Sequence, residues 1–125
     1  MLKNNIKVLA VDDDLINLKL LKSMLMKTEK VSEVLEAKNG SDAIGILKSR
    51  DDIDLILLDI IMPIMGGIEM LKVVRADDSL RQLPIIVLTT DETKKSEALE
   101  LGANGFLMKP IKRDDLAAKI ATVIV

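Results

Sequence analysis

Apolar and polar positions alternate along this chain with two different periods. Ile6 to Val11, Leu55 to Leu58 and Ile85 to Leu88 are short, nearly continuous aliphatic runs. Such runs are the mark of strands buried on both faces. Val31 to Ala37 and Gly105 to Met108 read as a weaker strand and a short one. Between these runs the spacing becomes helical. From Asp14 to Lys27, Leu18, Leu21 and Leu25, with Ile16, are expected on one face; an acid opens the helix and lysines populate its end. About Asp42 to Ser49 turns Ala43, Ile46 and Leu47 inward, with Asn39 or Ser41 as its cap. Ile68, Leu71 and Val74 recur after Gly67, Asp77 to Leu83 is a polar loop, and further helices cover about Glu92 to Leu101 and Arg113 to Ile124. Gly102 is placed to stop the first of these two.

Five strands alternating with five helices predict an α/β domain: a doubly wound parallel sheet with right-handed crossovers and helices on both faces. The 125 residues suit one domain spanning 1–125, with no internal repeat and no linker-like tract. The chain reads as a stand-alone domain or as a piece of a larger protein, and the apolar end from Ile120 to Val125 leans toward a packed or truncated end.

Composition narrows the chemistry. There is no cysteine and no histidine, so thiolate, disulfide and imidazole chemistry are absent. A metal site would have to use oxygen ligands, which favours magnesium, calcium or manganese over zinc. The formal charge is -2 with both signs dispersed, and Phe106 is the only aromatic, so neither a basic footprint nor a stacking platform for nucleic acid is present. No apolar run approaches a membrane span, and Met1 to Ile6 does not read as a signal peptide, which points to a cytoplasmic domain.

Parallel sheets bind ligands beyond the carboxyl ends of their strands. Four predicted strand ends deliver reactive groups to that edge: Asp12 and Asp13, Asp59, Thr89, and Lys109. Singly, each has an ordinary explanation as a cap, a turn residue or a solvated charge; their conjunction at four ends does not. Clustered carboxylates repel unless a divalent cation joins them. A metal, an ammonium and a hydroxyl can hold the oxygens of a transferring phosphoryl group, and one carboxylate then serves as nucleophile. Asp59, alone on the central strand, is the best candidate.

The segments Val8 to Asp14, Ala37 to Gly40, Asp54 to Pro63, Pro84 to Thr89 and Gly102 to Pro110 resemble, in order and along the whole chain, a response-regulator receiver domain of two-component signalling, of the chemotaxis-regulator type. The resemblance implies sheet order 2-1-3-4-5. It implies Asp59 as phosphoacceptor from the phosphohistidine of a histidine kinase or phosphotransfer protein. Asp13, Asp59 and the Ile61 carbonyl would be magnesium ligands, with Asp12 orienting a metal-bound water. Lys109 would contact the phosphoryl group, Thr89 would be the switch hydroxyl and Phe106 the switch aromatic, and the Lys109–Pro110 peptide is commonly cis in the family. An output protein or domain would dock on the last two helices and fifth strand, with phosphorylation-dependent homodimerisation as a further expectation. The domain would signal rather than turn over a separate substrate, catalysing its own phosphorylation and hydrolysis.

Three positions depart from the family pattern. Thr90 replaces a small residue beside the site, Ile61 replaces a commonly polar one, and Gly66 replaces a common aspartate. The rivals are weaker. A haloacid-dehalogenase-type phosphatase needs a second aspartate where Ile61 stands, and a flavodoxin-like protein needs flavin-stacking aromatics. A pseudo-receiver that only binds partners would have lost an acid or the lysine.

Overall fold

The computed structural model describes residues 5–124; the readings that touch Met1 to Asn4 and Val125 lie outside them. The described residues form β1 (Ile6–Val11), α1 (Leu15–Met26), β2 (Val31–Ala37), α2 (Gly40–Ser49), β3 (Leu55–Asp59), α3 (Gly67–Ala76), β4 (Ile85–Thr89), α4 (Lys95–Glu100), β5 (Gly105–Met108) and α5 (Arg113–Val123). All strand pairs are parallel and the sheet order is β2-β1-β3-β4-β5. This is the doubly wound order expected from the sequence.

The aliphatic runs form strands because both of their faces find helices. Leu9, Val11, Ile56, Leu58, Ile85 and Val87 pack with Ala43 and Leu47 of α2, Met70, Leu71 and Val74 of α3, and Ala98 of α4. The alternate residues Ile6, Val8, Ala10, Leu55, Leu57, Ile86 and Leu88 pack with Leu18, Leu21 and Leu25 of α1 and Leu116 and Ile120 of α5. Truncating any of these fully buried leucines to alanine would cost about 2–5 kcal/mol.

The caps match the residue types. The Asp14 carboxylate accepts the Ile16 and Asn17 N–H groups at the start of α1, and the Asn39 side chain accepts the Asp42 N–H at the start of α2. Gly102 ends the α4 region with φ 103°, a conformation that a side chain disfavours.

Four details differ from expectation. Ile16 is 70% exposed rather than inward, because two residues along a helix is roughly a 200° rotation away from Leu18. The last turn of α1 holds no basic residue, since Lys27 is its C-cap. α2 begins at Gly40, two residues early. The helix expected over Glu92 to Leu101 is divided into a 3₁₀ turn over Glu92–Lys94 and α4 proper. Among the described residues no helix is long and apolar enough to cross a membrane.

The loop called polar, Asp77 to Leu83, is held down by a residue that periodicity did not reveal. The Arg75 guanidinium donates to the carbonyls of Gly102 (3.0 and 2.8 Å), Arg81 (3.0 Å) and Leu83 (2.9 Å) and to Asn104 Oδ1 (2.9 Å). One side chain thus ties α3 to the loops before β4 and β5.

Candidate functional site

The carboxyl edge of the sheet collects the acids through strand parity. β1 turns positions 6, 8 and 10 toward α1 and α5, and β3 does the same with 55 and 57. Asp12 and Asp59 continue those two series at adjacent strands, because β1 pairs with β3. Behind Asp59 the chain must reverse at once into α3. It does so with Gly67 packed onto the strand end, where a Cβ would overlap the Asp59 carbonyl oxygen.

Asp12, Asp13 and Asp59 each present a carboxylate oxygen, and the three oxygens lie within 4.8 Å of one another. Lys109 Nζ donates to Asp12 Oδ2 at 3.0 Å and pairs with Asp59 Oδ1 at 3.1 Å. Asp12 is 1% exposed, and its other oxygen accepts the Asp14 N–H at 2.9 Å. Asp12 is therefore held on both sides, whereas Asp13 is exposed.

One ammonium against three carboxylates leaves the cluster anionic. The Asp59 carboxyl is pushed above the ordinary carboxylate value by burial first and by the Asp12 charge second, with Lys109 opposing only in part. Burial works to lower the Lys109 ammonium, but its two carboxylate partners outweigh that and raise it. Lys109 is thus a fixed cation, not a proton donor at neutral pH.

The donor set suits a hard divalent cation. It consists of carboxylate oxygens, and among the described residues none donates a hydrogen bond to the neighbouring Ile61 carbonyl. The Ile61 side chain itself is 64% exposed.

Thr89 ends β4 with 1% exposure, and its Oγ1 accepts the Asp91 N–H at 3.1 Å. Its strand parity is that of Ile85 and Val87, which face α2, α3 and α4. Phe106 is half-buried against that same core, in register with Val87, and Lys95 Nζ stands 5.8 Å from its ring centroid. Thr89 and Phe106 therefore share one face of the sheet, and Asp12 and Asp59 the other. Thr90 is exposed beside Thr89. The Lys109–Pro110 peptide is cis. Of the seven residues singled out from the sequence, Asp12, Asp13, Asp59 and Lys109 meet directly; Ile61 and Thr89 flank them at the same edge. Phe106 stands one strand further out.

Comparison with known proteins agrees with this fold. Residues 8–121 match the family model described as "Response regulator receiver domain". The chain is 34% identical to the chemotaxis protein CheY-3 of Vibrio cholerae over 96% of its own length and 92% of the relative's. The structure of the chemotaxis response regulator CheY4 of Vibrio cholerae superposes with a TM-score of 0.86 at 33% identity, covering 95% of this chain and 98% of that one. The receiver domain of a sensor histidine kinase from Pseudomonas aeruginosa, solved with a magnesium ion coordinated in its active-site cleft, gives a TM-score of 0.86 at 27% identity, covering 96% and 98%. A parallel sheet of order 2-1-3-4-5 with acids and a lysine converging on its carboxyl edge, matched along nearly its whole length, belongs to the response-regulator receiver domains of two-component signalling.

Proposed function

We propose that residues 1–125 act as one receiver domain in which Asp59 accepts a phosphoryl group from a phosphohistidine. A carboxylate oxygen of Asp59 forms a bond to phosphorus while the phosphorus–nitrogen bond breaks and the imidazole leaves. The observation that carries this reading is the cluster itself: three carboxylates within 4.8 Å and one lysine that bridges two of them. Burial and the Asp12 charge push the Asp59 carboxyl above its ordinary value, so a negative charge there is poorly compensated by its surroundings, which suits a nucleophile.

Asp13, Asp59 and the Ile61 carbonyl would hold Mg2+, with Asp12 orienting a coordinated water. When bound, the ion supplies charge neutralisation for the acids and for the phosphoryl oxygens. Lys109 would hold a phosphoryl oxygen once Asp59 is modified, a role supported by its ammonium lying 3.1 Å from Asp59 Oδ1. The Thr89 hydroxyl would exchange its present Asp91 partner for a phosphoryl oxygen, leaving room on its face of the sheet for Phe106 to move further in. The exposed surface of α4, β5 and α5 would then change shape, biasing an existing equilibrium toward a form that an output partner or a second copy binds. Hydrolysis of the acyl phosphate by the domain itself would reset it. The donor would be a histidine kinase or phosphotransfer protein, and the setting cytoplasmic.

The test is intact-mass measurement after incubation with Mg2+ and acetyl phosphate. One added phosphoryl group is expected on the parent chain, none without Mg2+ and none on Asp59→Asn. Equal labelling of Asp59→Asn would dismiss Asp59 as the acceptor.

A further inference from the structure

The turn from Ala37 to Gly40 links β2 to α2 and supplies none of the acids, yet its backbone touches both halves of the candidate metal site. At one end, the Ala37 carbonyl accepts the Asp12 N–H at 3.0 Å, one residue before Asp13. At the other, the Gly40 N–H donates to the Met65 carbonyl at 2.9 Å, in the β3–α3 loop that carries Ile61 behind Asp59. β2 does not neighbour β3, because β1 lies between them. One short turn therefore bridges the end of β1, with its acids, to the loop beyond β3.

The bridge depends on Gly40 in two ways. As the first residue of α2, it has an N–H with no partner inside the helix. The Asn39 side chain accepts the Asp42 N–H at 2.8 Å and fixes where the helix begins, which leaves the Gly40 N–H for Met65. The approach is also too close for a side chain. A Cβ at Gly40 would stand 2.7 Å from Met65 Cγ and 2.9 Å from both Met65 Sδ and the Met65 carbonyl oxygen. The thioether can swing aside, but the carbonyl moves only with the loop.

The loop does not hold its shape unaided. Ile64 has φ 67°, in the left-handed region that a β-branched residue avoids. The Gly67 N–H fastens the base of the loop to the Ile60 carbonyl at 2.8 Å, and Gly40 fastens Met65 from outside. Ile61 lies between these two anchors. A strained backbone persists only while its surroundings impose it, so loss of the outer anchor frees the segment that holds the Ile61 carbonyl.

We propose that Gly40 is a positioning residue for magnesium: it holds the β3–α3 loop at the spacing from the β1 acids that lets the Ile61 carbonyl and the carboxylates share one ion. The inference rests on the reading that Asp13, Asp59 and the Ile61 carbonyl hold Mg2+. The test is calorimetric titration of the metal-free chain with MgCl2. Gly40→Ala should raise the Mg2+ Kd roughly tenfold or more, the loss typical of a displaced ligand support. Met65→Ala keeps the carbonyl and should stay within about twofold of the parent. It also removes the thioether from the contact, so the double variant Gly40→Ala/Met65→Ala has only the carbonyl overlap to relieve and serves where Gly40→Ala alone folds poorly. Its Kd should exceed that of Met65→Ala roughly fivefold or more. Leu25→Ala, a core truncation in the last turn of α1, should lower Tm and leave the Kd within about twofold.

A Kd unchanged by the added methyl, in Gly40→Ala against the parent or in the double variant against Met65→Ala, would overturn the proposal and leave Gly40 a packing residue. An equal loss of affinity in Leu25→Ala would overturn it too, because the weakening would then follow stability. A parent that takes up no Mg2+ removes the magnesium reading itself, and this inference with it; the parent titration tells the two failures apart.

Discussion

The two edges of the sheet carry charge clusters of opposite construction. At the amino edge, Arg50 donates to Asp52 at 2.9 and 2.7 Å and to Glu33 at 3.1 and 2.9 Å, and Lys7 Nζ donates to Asp52 at 2.9 Å. Two cations meet two acids, and the hydrogen bonds from Arg50 hold both carboxyls below their ordinary values. At the carboxyl edge, three acids share one lysine, and burial with the Asp12 charge pushes Asp59 upward. A compensated cluster serves the fold, and its solvent-exposed pairs contribute little. An uncompensated one weakens the fold and is kept for its chemistry. The comparison can be broken by showing that the two clusters respond alike.

Asp59→Asn is the strongest test. Acceptance of a phosphoryl group from acetyl phosphate should fall below detection, a loss of at least about a thousandfold. Stability should move the other way. The folded-state pKa of Asp59 is raised, so the ionised carboxylate is easier to form in the unfolded chain. At neutral pH that charge weakens the fold, and the neutral amide removes it while Lys109 keeps its Asp12 partner at 3.0 Å. A metal-free thermal scan should show Tm equal to or above that of the parent. A clear drop would mean that Asp59 is a structural acid like those at the amino edge.

Magnesium should relieve the same imbalance. At a hundredfold excess over Kd, a ligand that binds only the folded state adds about 2.7 kcal/mol. Urea unfolding with and without Mg2+ should show a gain of this size in the parent and little in Asp13→Asn. Equal gains in the two proteins would place the ion elsewhere.

Rates come next, through two positions bordering the acids. Thr90 is exposed beside Thr89, where a branched side chain would narrow the approach to Asp59. Thr90→Ala should speed phosphorylation by acetyl phosphate about three- to tenfold, roughly 1 kcal/mol in the barrier. Ile61 has no polar group with which to orient an attacking water. Ile61→Asn should shorten the lifetime of the phosphorylated state by a similar factor. Unchanged rates would remove these residues from the account and leave the acids and Lys109 to set the kinetics alone.

What was legible from sequence follows from what each signal encodes. Strand runs and turn residues report burial and backbone freedom, so the strand boundaries, to within one residue at the ends of β3 and β4, and the convergence of Asp12, Asp13, Asp59 and Lys109 could be read directly. Long-range polar staples carry no periodic signal. Arg75, which ties α3 to carbonyls of Arg81, Leu83 and Gly102, looks on paper like any solvated helix arginine. The Arg50 cluster draws from β1, β2 and the α2–β3 loop, and is visible only once the strands are side by side. Ile64 was hidden for the opposite reason, since a β-branched residue is the last type expected at positive φ. That Thr89 and Phe106 lie on the sheet face opposite Asp12 and Asp59 follows from parity, which the strand runs contain but which becomes informative only when the helices are assigned to faces.

The smallest effect sharpens the comparison most finely, because it separates the two edges by pH. Asp52 and Asp59 share an ordinary value of 3.8 but shift in opposite directions. For Asp52 the folded-state value is depressed, so its contribution is fully present above 3.8 and is lost as pH falls below it, through the depressed value. Asp52→Asn should therefore lower Tm at neutral pH by only about 1–3 °C, since its pairs are exposed and screened. That deficit should persist down to 3.8 and close only below it. For Asp59 the folded-state value is raised, so its destabilising charge is fully present above that value and is relieved as pH falls toward 3.8. The difference between Asp59→Asn and the parent should thus close above 3.8, before the Asp52 difference begins to close. Added salt should shrink the Asp52 effect and leave the buried Asp59 effect less changed. Thermal scans of the three metal-free proteins across the acid range read both windows at once. If both differences closed over one range, the two clusters would be electrostatically equivalent and the contrast between the edges would fail.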